Sequence, residues 1–212
     1  MSFSHIIRSL QVVVRGLAPA GAALTLSACG SAPPAPEPQA GNMDESGFVI
    51  TEDIDVSGDV RLDFDQAVRH LEAGQYAQAI TLLERVTEKA PNATMPLIDL
   101  GIAYARVDDL ENAEASMLRA LELNPRHPVA HNELGMIQRQ TGRFSEARQS
   151  YENALDFHPR FHFARLNLAI LCDMYLADLE CALRNYERYS EAVPDDEQAA
   201  IWIADLQSRV GK

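Results

Sequence analysis

The side chains with the most evident chemical potential are six histidines, three cysteines and a surplus of carboxylates, 31 Asp and Glu against 18 Lys and Arg. His127-Pro-Val-Ala-His131 and His158-Pro-Arg-Phe-His162 share a spacing of four, which on an uninterrupted helix would put two imidazoles on one face, ready for zinc. A proline inside each pair argues against that face, because it lacks the N–H and crowds the preceding turn. No third ligand recurs beside either pair. The chain also lacks a glycine-rich phosphate loop, a Gly-x-Ser-x-Gly elbow and a Cys-x-x-Cys pair. The reading is of a protein that is not an enzyme and uses no metal and no cofactor. A formal net charge of −13 argues equally against nucleic acid as a partner.

The cysteines differ from one another in setting. Cys29 closes an uncharged, mostly apolar run over 17–28, preceded by Arg8 and Arg15 and by no acid, as in an export signal. That run, with Pro19 inside it, is shorter than the roughly 20 apolar residues a membrane-spanning helix needs. Leu26-Ser27-Ala28-Cys29 resembles the lipobox of bacterial lipoproteins, which implies removal of 1–28 and acylation of Cys29. Three acyl chains, at about 0.8 kcal/mol per buried CH₂, hold a protein on a bilayer. Gly30 stands where an Asp marks inner-membrane retention in that class, so the resemblance implies an outer-membrane anchor facing the periplasm, with the lipid as the only membrane contact. Residues 29–47, with four prolines between Pro33 and Pro38, have too little apolar surface to order themselves and read as a tether. Residues 48–59 hold a small apolar island (Phe48, Val49, Ile50, Ile54, Val56) that could dock on the body or meet a partner.

Beyond residue 60 the chain repeats. Ala79, Ala113 and Ala147 are 34 apart, as are Pro91, Pro125 and Pro159 and also Leu100, Leu134 and Leu168; Ala182 and Pro194 then fall one residue late. Leu100-Gly101 with Tyr104, Ala113, Met117, Ala120 and Pro125 resembles the tetratricopeptide repeat, and Leu134-Gly135 with Gly142, Phe144, Ala147, Tyr151, Ala154 and Pro159 matches it again. The first unit (Ala67, Gly74, Tyr76, Ala79, Leu83, Pro91) and the fourth (Ala169, Ala182, Tyr186, Pro194) are looser. The expected fold is all-α: a right-handed solenoid of four helix-turn-helix units, 60–93, 94–127, 128–161 and 162–194, with a capping helix in 195–212. The same conclusion follows from packing alone. A small residue on helix A of each unit (Ala67, Gly101, Gly135, Ala169) faces an Ala on helix B, and each proline forces a restart. Such an array is stabilised between neighbours and needs caps. Ala199, Trp202, Ile203, Leu206 and Val210 form one stripe suited to a cap.

The resemblance implies a concave groove lined by helices A. Its ninth positions are Val68, Ile102, Met136 and Ile170, an apolar ladder; the fifth are Phe64, Ile98, Asn132 and Leu166; the sixth are Asp65, Asp99, Glu133 and Asn167. An apolar floor beside a carboxylate row suits a protein or peptide segment with apolar and basic side chains rather than a small-molecule substrate. The Lys and Asn clamp with which some relatives hold a carboxylate is missing, since Phe64, Val68, Asp99, Val129 and Glu133 occupy its places. Asparagines that could grip a peptide backbone number two, Asn132 and Asn167. Cys172, late on helix A of unit four, and Cys181, early on helix B, would approach within an antiparallel hairpin and could bond in an oxidising compartment; the alternative is two buried small side chains.

The expected function is therefore a membrane-tethered interaction scaffold of the bacterial envelope. Asn132-Glu133-Leu134-Gly135, the stretch 142–155 and the stretch 167–183 resemble small lipoproteins of TonB-type energy-transducing systems. Two other roles fit the same features: a lipoprotein of type IV pilus or secretin assembly, and a regulatory adaptor of a peptidoglycan enzyme.

Overall fold

The computed structural model describes residues 56–210. They form nine helices and no strand: α1 Gly58–Glu72, α2 Tyr76–Lys89, α3 Thr94–Arg106, α4 Leu110–Leu123, α5 Pro128–Gln140, α6 Phe144–Phe157, α7 His162–Met174, α8 Leu179–Ala192 and α9 Glu197–Val210. Consecutive helices pair as antiparallel hairpins, so α1, α3, α5 and α7 are the helices A and α2, α4, α6 and α8 the helices B.

Proline sets where helices B stop. Each helix B ends just before the residue that precedes a proline, Ala90, Asn124, His158 or Val193, and these four residues leave the α conformation with ψ of 65, 88, 84 and 70°. The clash of the proline ring with the preceding residue excludes the α conformation there. The hairpin turns depend instead on a left-handed residue. Gly74 and Gly142 provide it without strain, whereas unit two uses Asp108 (φ 63°) and unit four Ala177 (φ 51°). The residue by which the fourth unit slips lies in this turn: Tyr175–Asp178 holds four residues where the other three turns hold three.

Close approach of the paired helices explains the small residues. Ala79, Ala113, Ala147 and Ala182 are fully buried. A Cβ at Gly135 would stand 2.6 Å from Tyr151 Cε1, and one at Gly101 would stand 2.7 Å from Met117 Cε and 3.0 Å from the Ala113 carbonyl. Glycine at these places lets a large helix B side chain lie flat on the helix A backbone. Between units the core is continuous: Leu97, Ile98 and Ile102 meet Val129, Leu134, Ile137 and Phe161 in one cluster. Ion pairs tie successive units at the surface. Arg143 donates two hydrogen bonds of 2.7 Å to Glu114, and Arg148 pairs with Asp178.

At the far end α9 lies on α8, burying Ala199 and Leu206 and setting Trp202 5.1 Å from the Tyr186 ring. Val210 leaves the expected stripe. It is 43% exposed, one turn past Leu206, where the tie to the body is the ion pair of Arg209 with Asp173 rather than apolar contact.

Candidate binding face on helices A

The register of the repeat brings the twelve expected groove residues onto α1, α3, α5 and α7, three on each. Their exposure divides them. Phe64 and Val68 on α1 are half-buried against Leu100 and Ala103, and Asp65 is exposed. Ile98, Asp99 and Ile102 on α3 are buried to 2% exposure or less. On α5, Asn132 and Glu133 are buried and Met136 is half-buried; on α7, Leu166 is buried while Asn167 and Ile170 are half-buried.

The apolar ladder is therefore not an open strip. Ile98 and Ile102 are packing residues, joined to Val129 and Ile137 on the next helix A, and Met136 and Ile170 belong together in the cluster of the last units. The physical reason is that successive helices A, α3 with α5 and α5 with α7, touch, so their side chains cover one another before any partner arrives. What stays accessible is broken into Phe64 and Val68 at one end and Met136, Asn167 and Ile170 at the other.

The carboxylate row changes character too, since only Asp65 is exposed. Burial raises the Asp99 carboxyl from 3.8 to about 7, and its Oδ1 finds no hydrogen-bond partner. Burial also raises Glu133 to about 7, against the opposing pull of a hydrogen bond from Asn132 and the charge of Arg106. Near neutral pH these two groups are divided between acid and anion rather than forming a constant negative stripe. A polar chain crosses from α7 to α5: Asn167 Nδ2 donates to Asn132 Oδ1 at 2.9 Å, and Asn132 Nδ2 donates to Glu133 Oε1 at 3.0 Å. Beside it a small opening of about 50 Å³ lies between Ile102, Ala105 and Arg106 of α3 and Glu133, Met136 and Gln140 of α5. The two asparagines thus act as a linked pair, a relation that their different repeat positions, fifth and sixth, conceal in the sequence.

The histidine pair on α5 departs from the expectation in one respect. Pro128 opens α5 instead of breaking it, because a first-turn N–H has no intrahelical partner to lose, so His127 and His131 stand one turn apart at the helix start. One nitrogen of each is spent locally, while His127 Nε2 and His131 Nδ1 are buried without a hydrogen-bond partner. His127 Nδ1 caps α5 by accepting from the Ala130 N–H at 3.4 Å, and His131 Nε2 lies 2.9 Å from the Pro125 carbonyl. His131 packs on the Phe157 ring, which also carries Arg126 at 5.2 Å.

Cys172 and Cys181 are bonded, with Cα atoms 5.9 Å apart and both side chains buried. With Asp178 they form the one trio of potential metal ligands among the described residues, within 4.8 Å of one another. Their donors are committed elsewhere. The sulfurs hold each other, and Asp178 accepts from the Cys181 N–H at 3.0 Å and from Arg148 at 3.1 Å, which lowers its carboxyl, the backbone bond contributing most. The trio is a staple across the lengthened turn. Cys29 lies outside the described residues, as do the signal-like segment, the tether and all of the island but Val56 and the three residues after it. No helix among the described residues is long and apolar enough to cross a membrane.

Comparison with known proteins agrees with this architecture. The sequence profile of the tetratricopeptide repeat family matches residues 64–97 and 98–160, and the described chain is a tetratricopeptide-repeat solenoid. Anaphase-promoting complex subunit 6 of Dictyostelium discoideum is 29% identical over 83 residues, 39% of this chain and 10% of that protein. The peroxisomal targeting signal receptor of Saccharomyces cerevisiae is 35% identical over 71 residues, 34% of this chain and 12% of the receptor. The chain thus spans about a tenth of the length of these curated relatives. Among solved structures, the pilF protein of Pseudomonas aeruginosa superposes with a TM-score of 0.65 at 18% identity over 71% of this chain and 68% of that one. MamA from Desulfovibrio magneticus RS-1 gives 0.64 at 20% identity over 73% and 87%. At these identities the likeness is one of fold.

Proposed function

We propose that this chain is a lipid-tethered scaffold of the bacterial envelope that captures a protein segment along helices A. The fold class is one whose members hold protein or peptide partners and are typically not catalysts. The observation that carries the site is the linked Asn132–Asn167 pair, flanked by half-buried Met136 and Ile170 on adjacent helices A. Asn132 is buried with its amide satisfied by Glu133, Met136 and Asn167, so it serves to fix half-buried Asn167, whose amide faces an extended backbone, and the thioether and Ile beside it take apolar side chains. Exposed Asp65, with Glu133 at the small opening, favours basic side chains in that segment. The tether places the scaffold at the periplasmic face of the outer membrane through Cys29, and the resemblance of its motifs points to a TonB-type energy-transducing complex.

Two experiments test the reading. Cys29→Ser should abolish acyl labelling and release the protein from membranes; retention after a high-salt wash would remove the anchor. A photo-crosslinking amino acid at Met136 or Asn167 should form an adduct with the partner in intact cells, whereas one at Leu118, exposed on α4, should not. Adducts from Leu118 alone would move the site to the other face. Identification of the adduct chooses between the TonB-type complex, pilus or secretin assembly, and a peptidoglycan enzyme.

A further inference from the structure

The end of the solenoid next to the tether has an unfilled place. Ala93, His127 and Phe161 recur 34 residues apart, each the N-cap of the following helix A, and each is buried to 2% exposure or less. In units two and three this position puts an aromatic ring into the junction between successive hairpins. Phe161 does so within the central cluster beside Val129, Ala130 and Ala154. Unit one has a methyl group there instead. Ala93 sits with Val60, Val86 and Ala90, and beside them opens a cavity of about 460 Å³ lined by Val56, Ser57, Val60, Lys89, Ala90 and Ala93, among others.

The described chain enters at this cavity. Val56 is part of its wall and already packs on the Val60–Val86 cluster, and Ser57 continues in an extended conformation. An extended strand advances about 3.3 to 3.6 Å per residue and presents alternate residues on one side. If the chain before Val56 ran extended, Ile54 would come within about 7 Å of Val56 on the same side, with Ile50 and Phe48 following on that side after Glu52. The rim has the matching charge. Lys89 lines the cavity and already binds Asp59 at 2.9 Å, and a docked segment would carry Glu52, Asp53 and Asp55 as partners of the same sign as Asp59.

We propose that residues 48–54 dock into this cavity, with Ile54 and the apolar residues before it supplying the volume that Ala93 leaves empty, so that the segment is the N-terminal cap of the solenoid. The occupant is this chain's own segment because the wall of the cavity and the segment are joined through Val56, so docking pays no cost of association between molecules. The tether then leaves from the unit-one end of the array, away from the Asn132–Asn167 pair.

The test uses the full chain. Ile54→Ser should lower the thermal midpoint by about 3 to 6 °C, the expected effect of losing one buried Ile in a protein of this size. It should also speed cleavage after Glu52 by a glutamyl endopeptidase several-fold. Ala93→Phe should fill the cavity from within and release the segment; Ala93→Val is the milder version if the ring overpacks. In either background, adding Ile54→Ser should cost much less than it does in the wild type. An Ile54→Ser protein unchanged in midpoint and cleavage overturns the proposal. So does a cost that is the same in all backgrounds, or protection of Glu52 that arises only when a partner is added, which would assign the segment to that partner.

Discussion

Asp99 is buried to 2% exposure with its Oδ1 lacking a hydrogen-bond partner, and Asp99→Asn turns that into a measurable pH dependence. Its carboxyl is raised from 3.8 to about 7 by desolvation, and Oδ1 is unpaired. In the unfolded chain the group gives up its proton near pH 4; in the folded chain it keeps the proton to near pH 7. Between those values the unfolded state binds fewer protons, so stability falls as pH rises from about 4 to 7 and levels off above. At about 1.4 kcal/mol per pKa unit, the full shift corresponds to about 4 kcal/mol, of which about 2 kcal/mol falls between pH 5.5 and pH 7. An amide has the same shape and no charge. Urea unfolding of the wild type and Asp99→Asn, followed by helical ellipticity at pH 5.5, 6.5, 7.5 and 8.5, should show the variant gaining on the wild type by about 2 kcal/mol across the series. Asp65→Asn, at the equivalent exposed position, is the control for a general change of charge. A difference between Asp99→Asn and wild type that stays constant over the range would refute the assignment of a buried, unpaired carboxyl.

Other perturbations bear on packing and local geometry. Gly135→Ala should destabilise by about 1 to 3 kcal/mol despite alanine's better helix propensity, because the added methyl meets the buried Tyr151 ring; a variant as stable as wild type in urea would mean that the ring has room to move. Ala177→Gly should stabilise by about 0.5 kcal/mol, the relief of φ 51° exceeding the entropy glycine adds to the unfolded chain, and a lower midpoint would contradict the strained turn. His127 is lowered to about 4, chiefly by burial, so its contribution is intact above pH 6.5 and is lost as pH falls from there towards 4. His127→Asn, which can still cap α5, should remove about 2 kcal/mol of acid sensitivity between pH 7 and pH 5, checked by comparing midpoints at those two values. Replacing Cys172 and Cys181 together by Ser should cost about 2 to 3 kcal/mol for opening a loop of nine residues, and alkylation of the denatured wild type should find neither thiol free.

The helices were legible because the features that define them are local. Proline spacing marks where helices B stop, and Gly101 and Gly135 mark where hairpins touch, so periods of 34 residues translate directly into packing. The binding face was less legible because exposure depends on what neighbouring units do. Ile102 and Val68 occupy equivalent positions, yet Ile102 is enclosed by α5 while Val68, on the first helix A, has a neighbour on one side only. The same holds for Asp65 and Asp99: repeat register places a side chain, and position along the array decides whether water reaches it. The Asn132–Asn167 bond was hidden for a related reason, since it joins two different register positions across adjacent units. Pro128 was misread because proline's effect depends on its place in the helix, tolerated in the first turn and disruptive further in.

The disulfide lies in the last hairpin, α7–α8, and no such bond ties the first described hairpin, α1–α2. An array whose units hold only their neighbours comes apart from its ends, and here the ends are unequal. Tension arriving through the chain at Val56 would act first on α1 and α2, held by apolar contact and exposed ion pairs, and would strip them from α3 before loading the centre. The opposite end is closed by a covalent bond between α7 and α8 and by α9 on top. Disassembly under load on the chain before Val56 thus has a direction, proceeding from the α1 end towards the locked one, and the segment of helices A around Met136, Asn167 and Ile170 would be among the last to lose its shape.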